Sequence, residues 1–318
     1  MKPITPFPEK QHVVILDGGL ATELERRGAD LRDPLWSAKL LLENPVLIRQ
    51  VHYDYFLAGA DVATSSSYQA TIPGLLQRSL DADEAKEILR LSVALARQAR
   101  ADFWRDPAHR EGRLEPLVAA SVGCYGAALH DGSEYRGDYG LTVQELMAWH
   151  RPRLEILADS GADLIACETV PCLAEAESLV RLLADFRGMS AWLSVSCQDE
   201  RRLCHGELFT EVVALANEAP HIVAVGVNCT APRFVEGLLE SAEMAKKPLL
   251  AYPNSGESWD AGRAAWHGAD NEVDWPTNVV RWVKAGARLI GGCCRTTPAT
   301  IRLIRNSFQA AGLFPGNR

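Results

Sequence analysis

Short apolar, β-branched runs recur along the whole chain, and most are followed by a segment whose apolar positions return at helical spacing. There are eight. They cover 13–17, 61–66, 117–122, 163–167, 191–197, 223–228, 248–252 and 287–290, and amphipathic segments at 45–59, 82–103, 142–160, 173–186, 211–219, 233–244, 271–285 and 297–311 lie between or after them. Eight strands alternating with helices predict a closed parallel sheet wrapped in helices, a single (β/α)8 TIM barrel. A doubly wound open sheet would alternate in the same way, so the count favours the barrel by number alone. The phosphate fingerprint of the open-sheet nucleotide binders is missing: the turn Asp17-Gly18-Gly19 is not a GxGxxG, and no GxxxxGK[ST] occurs.

At 318 residues, with no Pro/Gly/Ser linker to divide it, the chain is expected to form one domain over 1–318. The formal net charge of −8 leaves no basic stripe to neutralise phosphates, which turns the search from nucleic acid to a small-molecule substrate. The opening MKPITPFPEKQ lacks the apolar core of a signal peptide, and no apolar run approaches the roughly 20 residues that span a bilayer. A cytoplasmic monomer without membrane contact is the expectation. There, eight cysteines are more often reduced thiols, ligands or nucleophiles than a disulfide framework.

Polar residues gather at the ends of the predicted strands, where barrel active sites are built. They include Asp17, Ser66, Tyr68, Glu168, Asn228, Asn254, Ser255 and three cysteines: Cys229 closes one apolar run, and Cys293 and Cys294 follow another through Gly291 and Gly292. Three thiolates converging from two strand ends would hold a soft tetrahedral ion such as zinc and leave a fourth position open, as catalytic sites do. The plainer alternatives are three small buried residues, or a disulfide between the neighbours Cys293 and Cys294. Cys124, Cys167, Cys172, Cys197 and Cys204 read as ordinary small residues. Glu168 is either paired with an arginine or free to grip a substrate ammonium group. Asp17 is a turn former or a substrate contact, and Trp36 and Tyr68 are core aromatics or faces for a substrate cation. His130, His150, His205 and His267 read as surface residues, with no HExxH spacing among them. Two long loops, 125–140 and 254–274, are rich in Gly, Tyr, Trp and charge and are candidate lids.

Nearly the whole chain resembles the homocysteine S-methyltransferases, a zinc-dependent barrel family. The resemblance runs through LDGGLATELERRG, DPLWSAKLLLENP, SSSYQAT, SVGCYGA, GSEYRGDY, DLIACETVP, GVNC, YPNSGE and GGCCRTTP. GVNC paired with GGCC is the most specific part, and GSEYRGDY with YPNSGE is most similar to the branch that uses S-methylmethionine as methyl donor. The resemblance implies Zn2+ on Cys229, Cys293 and Cys294, with homocysteine entering the fourth position as a thiolate. It also implies Glu168 on the homocysteine amino group, the turn Asp17-Gly18 beside the amino acid, and Asn228 and Tyr68 lining the pocket, with Trp36 offered to the donor. S-adenosylmethionine would serve less well, because the chain has no nucleotide cradle, and betaine would not serve. Two other readings compete: a zinc-free redox protein using Cys293 and Cys294, and a module that presents homocysteine to a separate partner.

Overall fold

Eight strands hydrogen-bond in parallel in the order β1 (Val14–Ile15), β10 (Ala287–Ile290), β7 (Leu249–Tyr252), β6 (Ile222–Asn228), β5 (Ala191–Val195), β4 (Leu164–Val170), β3 (Leu117–Gly123) and β2 (Val62–Thr64). The ring closes between β2 and β1 through a bridge pairing Leu16 with Val62, helped by Asp61 N donating to Ile15 O at 2.7 Å. The chain is therefore a (β/α)8 barrel. This computed structural model describes residues 11–33, 35–260, 265–268 and 273–313. Within the expected loop 254–274 it adds a separate antiparallel hairpin, β8 (Ser258–Asp260) with β9 (Ala265–His267).

The strands alternate because each buries two faces. Val14, Leu16, Leu117, Ala119, Leu164, Ala166, Trp192, Leu250 and Leu289 fill the barrel interior. Their neighbours Val13, Ile15, Val118, Ala120, Ile165, Cys167, Leu193 and Ile290 pack outward under the helices. A period of two thus runs through the strands, broken at the starts of β6 and β10 where the register shifts, and carries on into the mouth, where it decides which polar side chains face inward. The helices begin where capping chemistry allows. Asp81 caps Ala82–Arg105 with Glu84 reaching back, and Thr142 and Glu145 do the same for Val143–Ala158. Among the described residues no helix is long and apolar enough to cross a membrane.

Boundaries shift by a few residues from those the sequence predicts, and one shift matters. Strand β4 does not stop at Cys167; it runs on to Val170, so Glu168 lies within the strand and not beyond it. The register against β5 slips between Cys167 and Val170, and Thr169 takes a positive φ of 59°. That irregularity bends the strand end and re-aims its side chains. Periodicity also passed over the short helices Leu20–Arg26, Leu40–Glu43 and Ile72–Leu76.

Of the four histidines expected at the surface, His150 is fully buried. It sits on the inward face of Val143–Ala158, where its Nε2 pairs with Glu175 Oε1 at 2.8 Å, so a buried carboxylate supplies the partner that lets an imidazole leave water. His130 and His205 are exposed, and the side chain of His267 lies outside the described residues. Cys124, Cys167, Cys172 and Cys197 are buried small residues, and Cys204 is half-buried.

Candidate active site

Cys229 follows the last residue of β6, while Cys293 and Cys294 follow β10, so the thiols arrive from the strands on either side of β7. Cys229 holds a strained φ of 45°, and its N–H donates to Tyr252 O at 3.3 Å. Cys293 N donates to Pro253 O at 2.8 Å, and Gly292 N to Asp17 O at 3.0 Å. The turn is too tight for side chains. A Cβ on Gly292 would meet Thr296 Oγ1 at 2.3 Å, and one on Gly19 would meet Cys293 O at 2.7 Å.

The three sulfur atoms lie within 4.8 Å of one another, with Cys229 and Cys294 at 3.3 Å. Cys229 and Cys293 are joined sulfur to sulfur, their Cα atoms 5.5 Å apart, the spacing of a disulfide pair. The pairing is therefore not the one between chain neighbours Cys293 and Cys294 that the sequence suggested. Strand ends flanking β7 bring Cys229 opposite Cys293, whereas Cys294 remains a free thiol. Burial pushes the Cys294 thiol up to about 12, and the charges of Glu134 and Glu168 add to the effect.

Across the cavity, period two turns Ser121, Glu168, Ser194, Asn228 and Tyr252 inward. Glu168 accepts from the Ser121 hydroxyl and, at 3.1 Å, from Tyr252 OH, which itself accepts from Trp192 Nε1 at 3.1 Å. No cation pairs with Glu168 among the described residues. Burial lifts its pKa to about 7, against the pull of those two hydrogen bonds. Asp17 accepts from Thr64 N at 2.8 Å and Thr64 Oγ1 at 3.0 Å, and burial, reinforced by the charge of Glu168, raises its pKa as well. Asn228 Oδ1 accepts from Thr169 N and Ser194 Oγ, both at 2.7 Å, and its Nδ2 donates to Thr169 Oγ1 at 2.7 Å and toward Cys293 Sγ at 3.8 Å. This fully bonded amide ties the β4 bend to the thiols.

One cavity of about 280 Å³ collects these groups apart from Ser194 and Trp192. Of the residues singled out from the sequence, Cys229, Cys293, Cys294, Asp17, Gly18, Glu168, Asn228, Tyr68, Trp36 and Ser66 line it, whereas Asn254 and Ser255 do not. Trp36 stands at a φ of 46° at the start of a 3-10 turn, and Tyr68 packs over Gly123, where a Cβ would meet Tyr68 O at 2.5 Å. Sequence reasoning missed Ser121, Tyr252, Thr64, Thr169 and Glu134. Ser121 and Tyr252 were within reach, since each lies two residues beyond an inward apolar residue of its own strand, Ala119 and Leu250.

A closed parallel barrel with buried carboxylates and three thiols at its mouth, spaced so that they could hold a metal ion, defines the class of barrel enzymes. The chain belongs to the homocysteine S-methyltransferase family, whose sequence profile matches residues 14–308. It is 45% identical over 305 residues to homocysteine S-methyltransferase YbgG of Bacillus subtilis, covering 96% of this chain and 97% of that protein. It is 49% identical over 302 residues to selenocysteine Se-methyltransferase of Brassica oleracea, covering 91% and 87%. In structure it is similar to the homocysteine methyltransferase MmuM of Escherichia coli in its metallated form, with a TM-score of 0.85 at 45% identity over 96% of this chain and 99% of that one. MmuM has also been solved in an oxidized form, with the same TM-score.

Proposed function

We propose that the chain transfers a methyl group from S-methylmethionine to the thiol of L-homocysteine, giving methionine, with zinc held by Cys229, Cys293 and Cys294. The observation that carries the reading is the pairing, in one cavity, of a three-thiol cluster with carboxylates that have no cation of their own. The donor set fits zinc. With Zn–S bonds of about 2.3 Å, tetrahedral ligands stand about 3.8 Å apart, close to the spread of these sulfurs once the Cys229–Cys293 pair is reduced. Protein surroundings alone favour the protonated thiol at Cys294, so a thiolate cluster calls for a bound cation. Zinc, when bound, supplies a lowered pKa for the incoming homocysteine thiol, which is otherwise mostly protonated at neutral pH.

The chain's own residues then bind and orient. Glu168, held by Ser121 and Tyr252, takes the homocysteine ammonium group; Asp17 and Gly18 border the amino acid; Asn228 fixes the strand end beside the thiols. Trp36 and Tyr68 offer aromatic faces to a sulfonium. No general base is assigned, and none is needed once the thiol has lost its proton. The match to 97% of the length of a homocysteine S-methyltransferase supports an enzyme over a presenting module.

Steady-state kcat/KM for S-methylmethionine, S-adenosylmethionine and betaine, at fixed homocysteine and with zinc loaded, tests the reading. The expected order is S-methylmethionine, then S-adenosylmethionine, with betaine inert. A preference for betaine, or full turnover without metal, would overturn it.

A further inference from the structure

Three carboxylates of the cavity, Glu25, Asp33 and Glu134, have no part in the roles above; Glu25 is exposed and Asp33 pairs with Arg78, which leaves Glu134. Glu134 lies in the 3-10 turn Ser133–Tyr135, on the loop between β3 and the helix Val143–Ala158, and lines the same cavity as the thiols. Its turn has little room to move. Ser133 N donates to Asp131 Oδ1 at 2.9 Å, Tyr135 N to Gly132 O at 3.0 Å, and Ser196 Oγ to Glu134 O at 3.2 Å. On the far side, a Cβ at Gly126 would meet Glu134 N at 2.5 Å. The backbone therefore presents this side chain in one direction.

Glu134 Oε2 is buried and has no hydrogen-bond partner. A nearby cation, Arg136, is turned away to Asp131 at 3.4 Å, Asp138 at 3.5 Å and Ser133 Oγ at 2.9 Å. Burying a carboxylate oxygen unpaired is costly, and such groups are expected to find a partner. The missing partner is a ligand. Its position is marked by the cavity that Glu134 shares with Cys293, Cys294, Tyr68 and Tyr135. A carboxylate with aromatic neighbours beside the thiols is the chemistry that recognises a sulfonium about to meet a thiolate.

We infer that Glu134 binds the positive charge of the methyl donor and makes the cavity discriminate a sulfonium from a neutral thioether. The inference rests on the sulfonium-donor reading above. In the transfer a bond forms between the homocysteine sulfur and the methyl carbon, the donor's S–CH3 bond breaks, and its electron pair returns to the donor sulfur. Thiolate and sulfonium charges vanish together. A fixed carboxylate therefore stabilises the bound donor more than the transition state, and it releases the neutral product. Glu134 is in this account a binding residue, whose loss raises donor KM without lowering kcat.

Equilibrium binding of S-methylmethionine and of methionine to the zinc-loaded wild type, Glu134→Gln and Glu134→Asp tests it, with homocysteine KM measured alongside. Glu134→Gln should weaken S-methylmethionine binding at least tenfold and methionine binding less than twofold, with homocysteine KM unchanged and kcat no lower than in the wild type. Equal losses for the two ligands, or none for the sulfonium, would overturn the assignment. Should Glu134→Gln fail to fold, Glu134→Asp carries the test, because its shorter stem must cost sulfonium affinity more than methionine affinity. A wild type that binds no sulfonium defeats the donor reading itself. A wild type that binds it, with both variants unchanged, defeats only the role of Glu134.

Discussion

The two ends of the barrel bury carboxylates to a similar depth and treat them in opposite ways. At the base Asp61, 1% exposed, accepts from Gln11 Nε2 at 2.7 Å and Ile15 N at 2.9 Å and faces Arg113 at 3.7 Å and Arg305 at 3.8 Å. Asp163 there pairs with Arg100 and accepts from Val118 N at 2.9 Å. At the mouth Asp17 and Glu168, 4% and 8% exposed, receive hydroxyl and amide donors but no cation. The base has closed its own charge balance. The mouth has left its balance open, and burial with no cation alongside raises the pKa of both carboxylates; in the proposed reading a positively charged guest closes it.

The sharpest break in this contrast comes from the thiols. Replacing Cys229, Cys293 or Cys294 with serine should abolish metal binding and turnover together while the melting temperature of the metal-free protein stays near that of the wild type. The cluster sits at the rim and the barrel is held by its two cores. Metal content by atomic spectroscopy, read beside circular dichroism, decides this, and a Cys293→Ser enzyme with full zinc would refute the cluster.

At the base the sign reverses. Asp163→Ala leaves Arg100 without its main partner and should cost about 3–5 kcal/mol of stability, the scale of a broken buried pair. The molecules still folded should keep wild-type KM values, so a loss confined to KM would erase the distinction between the two ends.

Smaller still is Glu168→Gln, expected to weaken homocysteine binding by about 1.5–3 kcal/mol, as for a hydrogen bond to a charged group, with donor KM little changed. Its pH dependence adds a signature. Because the folded pKa, about 7, lies above the unfolded value of 4.5, the stability tied to this proton is complete below about 4.5 and is lost as pH rises through 7. Homocysteine binding, which needs the ionised form, should strengthen over the same rise. Chemical denaturation of the metal-free protein from pH 5 to 8 should show a shallower decline in the glutamine variant than in the wild type. Identical slopes would remove Glu168 as the titrating group.

Much of this was legible in the sequence because the barrel writes itself twice, once as apolar runs and once as polar residues where those runs end. Cys229, Cys293 and Cys294 stood out for that reason, as did Glu168 and Asp17. What stayed hidden depends on contacts between distant strands. The slip between Cys167 and Val170, stabilised by Thr169 N on Asn228 Oδ1, has no local signature. His150 looked polar and therefore exposed, since its partner Glu175 lies 25 residues away on the next helix. Likewise, the meeting of Cys229 with the two cysteines after β10 depends on ring order and cannot be read from adjacency.

That ring order also sets a timetable. Cys229 and Cys293 are 64 residues apart, and the strand that delivers Cys293 is the one that pairs Leu289 with Val14 to complete the circle. During synthesis from the N-terminus, Cys229 emerges as a solitary thiol well before its companions exist. A partly made chain can neither capture an ion at this site nor cross-link across it. Assembly of the cluster thus marks the moment the last strand has found the first, and under the proposed reading a metal loaded here would certify a finished barrel.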